Sequence, residues 1–198
     1  LQEVARGEAE GPFDLNEVPP HFPLNRRFGV KQGGKIRCVD DFSWSGINAA
    51  SQPRESPKPH TLDVVAAMIS AVMCHAQGGR AWLARSFDLK SAYRQCAVHP
   101  ASRQFSYIVV GDPNALALKV FRFKALPFGS VKSVHSFLRI SHSLWAILTS
   151  IFWVITTNYF DDFVSLAESR EAASVDYTVK TVFRLLGWRF AEDRKSVV

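Results

Sequence analysis

Three aspartates of this sequence are surrounded by apolar side chains. Asp88 lies within the run 87–89 (FDL), and Asp161 and Asp162 lie side by side within the run 159–164 (YFDDFV). Burying an unpaired carboxylate is costly, so acids in such surroundings are expected to pair with cations or to bind a metal. A simpler interpretation stays open for each site. Asp161-Asp162 can be a polar hairpin turn, and Asp88 can cap a following helical turn.

Taken together, the three aspartates predict a metal site. Asp88 and the 161–162 pair would lie at two strand ends, where three carboxylates can hold two magnesium ions about 3.5 to 4 Å apart. Polymerases and nucleases use that arrangement for in-line displacement at phosphorus. Adjacent residues of an extended strand point to opposite sides, so a tight turn is needed to bring both Asp161 and Asp162 near Asp88. A hairpin tip would provide that turn.

Positive charge dominates long parts of the chain. The formal charge is +6, from 24 Lys and Arg against 18 Asp and Glu. Residues 25–39 hold five cations and no acid, and from Val64 to Phe160 the only carboxylates are Asp88 and Asp112. Such a field attracts polyanions, so we expect a nucleic-acid partner. A merely basic surface is the alternative, and it stays open on charge alone.

Apolar periodicity and turn residues predict an α+β fold with mostly antiparallel strands. Gly33-Gly34 separates two β-type runs within 28–39 and predicts a hairpin with basic residues near its tip. We predict helices over 61–77, from about 130 to 148 and over 169–186, a helical turn at 89–96, and strands at 82–88, 104–110, 117–124 and around 161–162. The proline-rich residues 1–27 predict an irregular lead-in.

Cysteine usage and hydropathy restrict the compartment. Three widely spaced cysteines without C-x-x-C spacing argue against a disulfide scaffold, so we expect an intracellular location, in cytoplasm or nucleus. The most apolar stretch, residues 144–155, is shorter than the roughly 20 residues of a membrane span, so we expect it to form core. The chain opens on Leu1, so we interpret it as an internal piece of a longer protein.

Five motifs, in order over about residues 28–196, resemble those of reverse transcriptases encoded by retroelements. They are the hairpin VKQGGKIRCVDDF with Ile47-Asn48, the run FDLKSAYRQ from Phe87, ALPFG at 125–129, the box YFDD at 159–162, and LGW at 186–188 through Lys195. A lone Y-x-D-D box is weak evidence, whereas five ordered motifs make chance implausible. The resemblance implies a right-hand polymerase fold, with an antiparallel palm sheet backed by helices, and RNA-directed DNA polymerase activity.

The resemblance also implies a domain plan. A fingers-palm domain would span residues 28–198, with the fingers hairpin at about 28–42 and the palm at about 80–198, after the lead-in 1–27. Because the chain stops soon after Lys195, we expect the thumb to be missing. The implied partners are a primer on an RNA or DNA template and deoxynucleoside triphosphates, with no membrane partner. Oligomeric state stays open.

For the metals, the resemblance implies that Asp88 and Asp161 bind both Mg²⁺ ions, for which Mn²⁺ is a substitute. Asp162 would have a lesser ligating or electrostatic part, and the backbone carbonyl of Leu89 would complete one ion's shell.

Further residues are implied to bind the incoming nucleotide. Lys31 or Lys35, with Arg37, would neutralise its phosphates, because guanidinium groups bind phosphate in a bidentate way. The remaining assignments to the nucleotide are the amides of Lys90, Ser91, Ala92 and Tyr93, together with Phe128, Gly129 and Lys195, the last as proton donor to pyrophosphate. The alternatives are a solvated hairpin for the hairpin cations and a ragged chain end for Lys195.

Three residues are implied to contact primer or template: Pro127, Tyr159 and Phe160. Tyr93 is implied to select the sugar, because a ring beneath the nucleotide would collide with a 2′-hydroxyl. That favours DNA synthesis over the activity of related RNA-dependent RNA polymerases. A core tyrosine on a short helix is the alternative.

Departures from the family pattern support a second function. Ser133-Val134 stands where the family usually has Ser-Pro or Ala-Pro, and together with the missing thumb it favours a catalytically inactive, nucleic-acid-binding remnant. Phe128, where many relatives have Gln, is common in retrotransposon members and favours that element type.

Overall fold

The computed structural model describes residues 2–51, 55, 57–75, 80–112 and 116–191. The chain divides into two compact units. Unit 1 comprises Leu1–Ser56 and Tyr93–Ser136, and unit 2 comprises Pro57–Ala92 and Phe137–Val198. Each unit contains one β-sheet, and helices and strands mix along the chain as the predicted α+β class requires.

The elements are numbered in chain order. The strands are β1 (Ala9–Asp14), β2 (Leu24–Gln32), β3 (Lys35–Asp41), β4 (Trp82–Asp88), β5 (Tyr107–Asp112), β6 (Ala117–Phe123), β7 (Ile155–Tyr159) and β8 (Asp162–Glu168). The α-helices are α1 (Gln2–Ala5), α2 (Ile47–Ala50), α3 (Leu62–His75), α4 (Val131–Ser150) and α5 (Ala172–Leu185). Short 3₁₀ helices form at Leu15–Glu17, Ala92–Gln95 and Pro100–Phe105.

Unit 1 is built on a five-stranded sheet in the order β1-β6-β5-β2-β3. Strands β2 and β5 pair in parallel, and the other neighbours pair antiparallel. Phe42, Ile108 and Phe123 are buried in one apolar cluster, and Tyr107 and Val120 in another. The predicted hairpin is present as β2 and β3, with Gly33-Gly34 at its tip.

Strand β1 departs from the irregular lead-in expected for residues 1–27. It pairs with β6 at the sheet edge, and the register shifts between Glu10 and Phe13. Gly11 lies in that irregularity at φ 119°, where an added Cβ would come within 2.8 Å of the Val120 carbonyl oxygen. Glycine and proline obscure a strand pattern in the sequence, but both are tolerated where an edge strand bulges.

Four charged side chains form an ion cluster in unit 1. Arg27 Nε lies 2.6 Å from Asp40 Oδ1, and Arg27 Nη1 lies 2.6 Å from Glu3 Oε2. Arg94 Nη2 lies 2.9 Å from Glu3 Oε1, and both guanidinium groups lie over the ring of Phe123. Burial alone would raise the pKa of Glu3, but the hydrogen bond and charge of Arg27, with the charge of Arg94, lower it below its usual value. This cluster is therefore internally neutralised.

Unit 2 contains a three-stranded antiparallel sheet in the order β4-β8-β7. The ring of Phe163 on β8 packs edge-on against Phe183 of α5, with centroids 5.0 Å apart. Trp145 Nε1 of α4 donates to the Thr156 carbonyl of β7 at 2.8 Å. Helices α4 and α5 therefore back this sheet, in keeping with the expected palm.

The apolar stretch 144–155 forms core only in part. Leu144, Leu148 and Val154 are buried, as predicted, but Trp153 is 85% exposed and Phe152 is 45% exposed. These two residues lie in the connection from α4 to β7, where the chain turns at the surface. None of the helices in the described ranges is long and apolar enough to cross a membrane.

Candidate active site

The pairing of β4 with β8 places the three predicted acids at one end of the unit 2 sheet. Asp88 ends β4, Asp162 begins β8, and the two are direct partners in the antiparallel register. Asp161 lies between Phe160 and Asp162, in the connection from β7 to β8. The sequence prediction that two strand ends bring these acids together agrees with this register.

The tight turn that the sequence analysis required is a two-residue hairpin loop. Tyr159 pairs with Asp162, which leaves Phe160 and Asp161 as the central residues of the turn. Phe160 has φ 52°, in the left-handed region. A positive φ at the first central position is typical of type II′ hairpin turns, where glycine is usual. A phenylalanine there costs about 1 to 2 kcal/mol, so the surroundings must hold it.

Backbone hydrogen bonds join the acidic end of the sheet to the segment after α5. Leu89 N donates to the Asp161 carbonyl at 3.2 Å, and Leu89 forms an isolated antiparallel bridge with Phe190. Within that bridge, Ala191 N donates to the Asp88 carbonyl at 2.8 Å and Lys90 N donates to the Arg189 carbonyl at 3.0 Å. These bonds do not use the Leu89 carbonyl, the predicted metal ligand.

One of the backbone amides assigned to the nucleotide already has a partner within the fold. The Lys90 amide was expected to face a triphosphate, but it is engaged with the Arg189 carbonyl. Ser91 has φ 50°, and the 3₁₀ helix begins only at Ala92, which is buried. The helical turn therefore starts later than predicted, because the bridge with the segment after α5 extends the β4 strand past Asp88.

Burial and mutual repulsion disfavour the charged forms of the acids. The pKa of Asp161 is raised, first by burial and then by the charges of Asp162 and Asp88. The pKa of Asp162 is raised, first by burial and then by the charge of Asp88. In neither case does a cation of the described residues lower the pKa. A bound cation would remove this repulsion.

The acids do not form a ready-made metal cage. In the part of the chain that the structure describes, no group of three or more His, Cys, Asp or Glu side chains is placed to hold one ion. The available donors nevertheless suit a hard cation. They are carboxylates, whose like charges repel one another, and the carbonyl of Leu89, which takes no part in the backbone bonds described above.

The hairpin of unit 1 separates two of the predicted phosphate-binding cations. Arg37 pairs with Val30 and Lys31 pairs with Ile36, so Lys31 and Arg37 occupy adjacent register positions. Adjacent positions face opposite sides of a ribbon, so these two side chains lie on opposite faces of the hairpin. Both residues are exposed. The side chain of Lys35 and the whole of Lys195 lie outside the described part of the chain.

Tyr93 and Phe128, both in unit 1, lie against each other. Their ring centroids are 5.0 Å apart with an interplanar angle of 47°. Tyr93 is half-buried, whereas Phe128 is 56% exposed. Pro127 is buried, which leaves little surface for its predicted contact with primer or template. Tyr159 in unit 2 is 55% exposed, and its ring packs edge-on against Phe160.

Gly129 sits in a close backbone contact that sequence analysis did not identify. Its φ is 96°, and an added Cβ would lie 2.0 Å from the Asp40 carbonyl oxygen. Asn48 Nδ2 donates to the Gly129 carbonyl at 3.0 Å, and Asn48 Oδ1 accepts from the amide of Val131, the first residue of α4. In the sequence, Asn48 is marked only by its place in Ile47-Asn48, which follows the hairpin motif of the family resemblance.

Two comparisons relate the chain to known proteins. Residues 31–192 match the family model described as reverse transcriptase (RNA-dependent DNA polymerase). The fold is similar to a foamy viral protease-reverse transcriptase (dRH) solved in complex with double-stranded DNA, with a TM-score of 0.71 and 16% identity. The similarity covers 96% of this chain and 28% of that chain, so the present chain spans little more than a quarter of that length. No curated protein matches the chain.

Proposed function

The chain belongs to the reverse transcriptase (RNA-dependent DNA polymerase) family, and from this we propose that it catalyses template-directed addition of deoxynucleotides to a primer. In the proposed reaction, the primer 3′-oxygen attacks the α-phosphorus of a deoxynucleoside triphosphate. The bond between the α-phosphorus and its bridging oxygen breaks, pyrophosphate leaves, and the 3′-hydroxyl proton passes to solvent. We also propose a retrotransposon-type origin, which Phe128 supports.

The observation that carries this proposal is the convergence of acids at the turn from β7 to β8. Asp88 and Asp162 are register partners, and the raised pKa values of Asp161 and Asp162 reflect burial and carboxylate neighbours. A protein gains nothing in stability from such an arrangement, because it increases charge repulsion in the folded state. An arrangement that is costly to the fold supports a role in binding cations.

We propose that Asp88, Asp161 and Asp162, with the Leu89 carbonyl, hold Mg²⁺. When bound, the ions would neutralise negative charge on the reacting phosphates. The carboxylates sit on strand ends and a tight turn, which would fix the positions of the ions. Mn²⁺ has the same preference for oxygen ligands and should substitute.

The nucleotide is proposed to contact Arg37 and Tyr93. Arg37 would bind the phosphates, because an exposed guanidinium offers paired donors to phosphate oxygens. Tyr93 would lie against the sugar and exclude a 2′-hydroxyl, and its contact with Phe128 would hold the ring in place. Primer or template would pass over the exposed ring of Tyr159.

A catalytically inactive, nucleic-acid-binding remnant is the second candidate. It is favoured by one structural observation, the lack of a preformed metal cluster among the described residues. Ser133-Val134, which departs from the family pattern at the start of α4, also favours it.

Primer extension on an RNA template separates these candidates. The chain should extend a primer with deoxynucleotides in the presence of Mg²⁺, and it should prefer them over ribonucleotides. Tyr93→Ala should reduce that preference. Template binding without extension, in either Mg²⁺ or Mn²⁺, would support the remnant instead.

A further inference from the structure

Two fully buried polar side chains connect helix α4 to the turn between β7 and β8. Ser141, on α4, and Asn158, on β7, each have 0% exposure. Asn158 Nδ2 donates to Ser141 Oγ at 2.7 Å, and Ser141 Oγ donates to the carbonyl oxygen of Phe160. A serine hydroxyl carries a single proton, so donating to Phe160 fixes its role as acceptor from Asn158. The three groups therefore form a chain of two hydrogen bonds, here called the relay, that runs from Asn158 through Ser141 to the Phe160 carbonyl in the turn.

The relay ends at the residue where the turn is strained. Phe160 is the central residue with φ 52°, a conformation that non-glycine residues rarely adopt. Its carbonyl belongs to the peptide unit that joins it to Asp161. Because a peptide unit is planar, a hydrogen bond that fixes this carbonyl also fixes the amide of Asp161 and so restrains the backbone that carries its side chain.

The start of the relay is also anchored on the backbone. His60 N donates to the Asn158 carbonyl at 3.2 Å, and Asn158 N donates to His60 Nδ1 at 3.3 Å. These bonds satisfy the backbone amide and carbonyl of Asn158 at the outer edge of β7, the last strand in the sheet order. Asn158 is thus held by its backbone on one side while its amide group reaches towards α4.

We propose that Ser141 and Asn158 are positioning residues that hold Phe160 in its left-handed conformation and thereby orient Asp161 for metal binding. They contact no reacting atom. The inference rests on the proposed function for its effect on catalysis, but the hold on the turn is a property of the fold alone. Hydrogen bonds in a buried setting are stronger than exposed ones, which suits this role. Among the described residues Asn158 Oδ1 has no hydrogen-bond partner, so this side chain acts through its amide nitrogen alone.

Ser141→Ala removes the relay, and Ser143→Ala is the matched control. Ser143 lies on the same helix but is exposed, and its hydroxyl bonds only the Arg139 carbonyl one turn earlier. In Ser141→Ala, hydrogen exchange at the amides of Asp161 and Asp162 should accelerate about tenfold or more, the equivalent of losing one buried hydrogen bond. Exchange at Leu166, in the middle of β8, should change much less. Ser143→Ala should match the unmodified chain at all three amides.

Extension kinetics supply the second measurement. Ser141→Ala should lower kcat about tenfold and raise the Mg²⁺ concentration for half-maximal rate, while KM for the nucleotide stays within about threefold. Glycine adopts the left-handed conformation readily, so in a Phe160→Gly background the same change should cost less than about threefold. Equal losses in both backgrounds would indicate a merely structural serine and would overturn the proposal.

The two measurements test different claims. If the unmodified chain extends no primer, the proposed function is wrong, and exchange at the turn still decides whether the relay holds it. If Asp161 and Asp162 exchange at the same rate in Ser141→Ala and Ser143→Ala, the relay does not hold the turn and the inference fails, whatever the activity.

Discussion

Glu3 and Asp40 in unit 1 differ from Asp161 and Asp162 in unit 2 in the charges beside them. Arg27 bonds both Glu3 and Asp40, and Arg94 bonds Glu3 as well, so the pKa of Glu3 is lowered despite its burial. Asp161 and Asp162 have only neighbouring carboxylates as charged influences, and their pKa values are raised. A partly buried carboxylate thus stabilises the fold in the unit 1 cluster and destabilises it at the unit 2 turn.

This contrast separates acids that stabilise the fold from acids that are proposed to bind metal. An acid whose charge is matched within the fold contributes to stability, and removing its partner leaves a buried charge unpaired. An acid whose charge is opposed within the fold weakens the fold until a cation arrives, so its presence needs another explanation.

Removing one acid of the unit 2 group should abolish synthesis without harming the fold. Asp161→Asn should lower the rate of primer extension by at least about 10³-fold, because metal ions supply several kcal/mol of transition-state stabilisation. In chelator, the variant should be as stable as the unmodified chain or slightly more stable, since a repulsive charge is gone. Extension assays and thermal unfolding by circular dichroism measure the two effects.

Asp63→Asn, an exposed acid at the start of α3, is the matched control and should change neither quantity. An Asp161→Asn protein that fails to fold would show that this acid has a structural role, which would remove the contrast with unit 1.

Removing one cation of the unit 1 cluster should have the opposite pattern. Arg27→Met leaves Glu3 and Asp40 without their main partner, and Asp40 has only 1% exposure. Breaking a buried pair on one side costs about 3 kcal/mol or more, which denaturant titration would register as a lower midpoint.

The neighbouring Arg26 offers a control in the same strand. It pairs with Asp41 at 2.9 Å, but its side chain is 58% exposed. Arg26→Met should cost at most about 1 kcal/mol, because surface ion pairs contribute little. Equal losses for Arg26→Met and Arg27→Met would show that burial does not distinguish the two pairs.

The sequence predicted one of these two regions and not the other, for a physical reason. Asp88 and the 161–162 pair stand out locally, because each interrupts an apolar run whose period-two pattern marks a strand. The predicted strand 82–88 agrees with β4, and the hairpin at 28–39 lies within β2 and β3. Local patterns suffice where an element is defined by its own residues.

The ion cluster depends on contacts that no local pattern contains. Arg94 and Glu3 are 91 residues apart in sequence, and strand β1, which contains Gly11 and Pro12, resembles a loop until it is paired with β6. The Ser141 relay is similar, because a serine in a helix carries no indication of which backbone carbonyl it will reach. Such features follow from tertiary pairing, which the family resemblance implies only as a fold.

The hairpin cations sharpen the comparison, because they are exposed rather than buried in a cluster. Arg37→Ala should raise KM for the deoxynucleotide about tenfold, since a bidentate phosphate contact is worth roughly 1.4 kcal/mol or more. Stability should stay within about 0.5 kcal/mol, as for other surface changes. Steady-state kinetics with varied nucleotide concentration measure the first effect, and thermal unfolding measures the second.

Lys31→Ala is the informative companion, because Lys31 lies on the opposite face of the same hairpin. Its effect on KM should be clearly smaller than that of Arg37→Ala. Equal effects would indicate that net positive charge, rather than one face of the hairpin, determines nucleotide binding.

The smallest expected effect is a dependence of stability on pH that has opposite signs in the two units. For Asp161 and Asp162 the folded-state pKa is raised, so the folded state binds more protons than the unfolded state over the interval between the two pKa values. Stability from this source should therefore fall as pH rises from about 3.9, the ordinary aspartate value, through the raised values.

For Glu3 the folded pKa is lowered, so its contribution to stability is present above the unfolded pKa and is lost as pH falls through the folded one. Subtracting the free energy of unfolding of Asp161→Asn from that of the unmodified chain at each pH, both in chelator, isolates the contribution of Asp161. The difference should decline with pH by an amount on the order of 0.5 kcal/mol, because the acids are partly exposed and solvent screens their repulsion. Saturating Mg²⁺ should reverse the slope, since a cation favours the ionised carboxylates. A flat difference in chelator would mean that the acids repel one another too weakly to distinguish them from the neutralised cluster in unit 1.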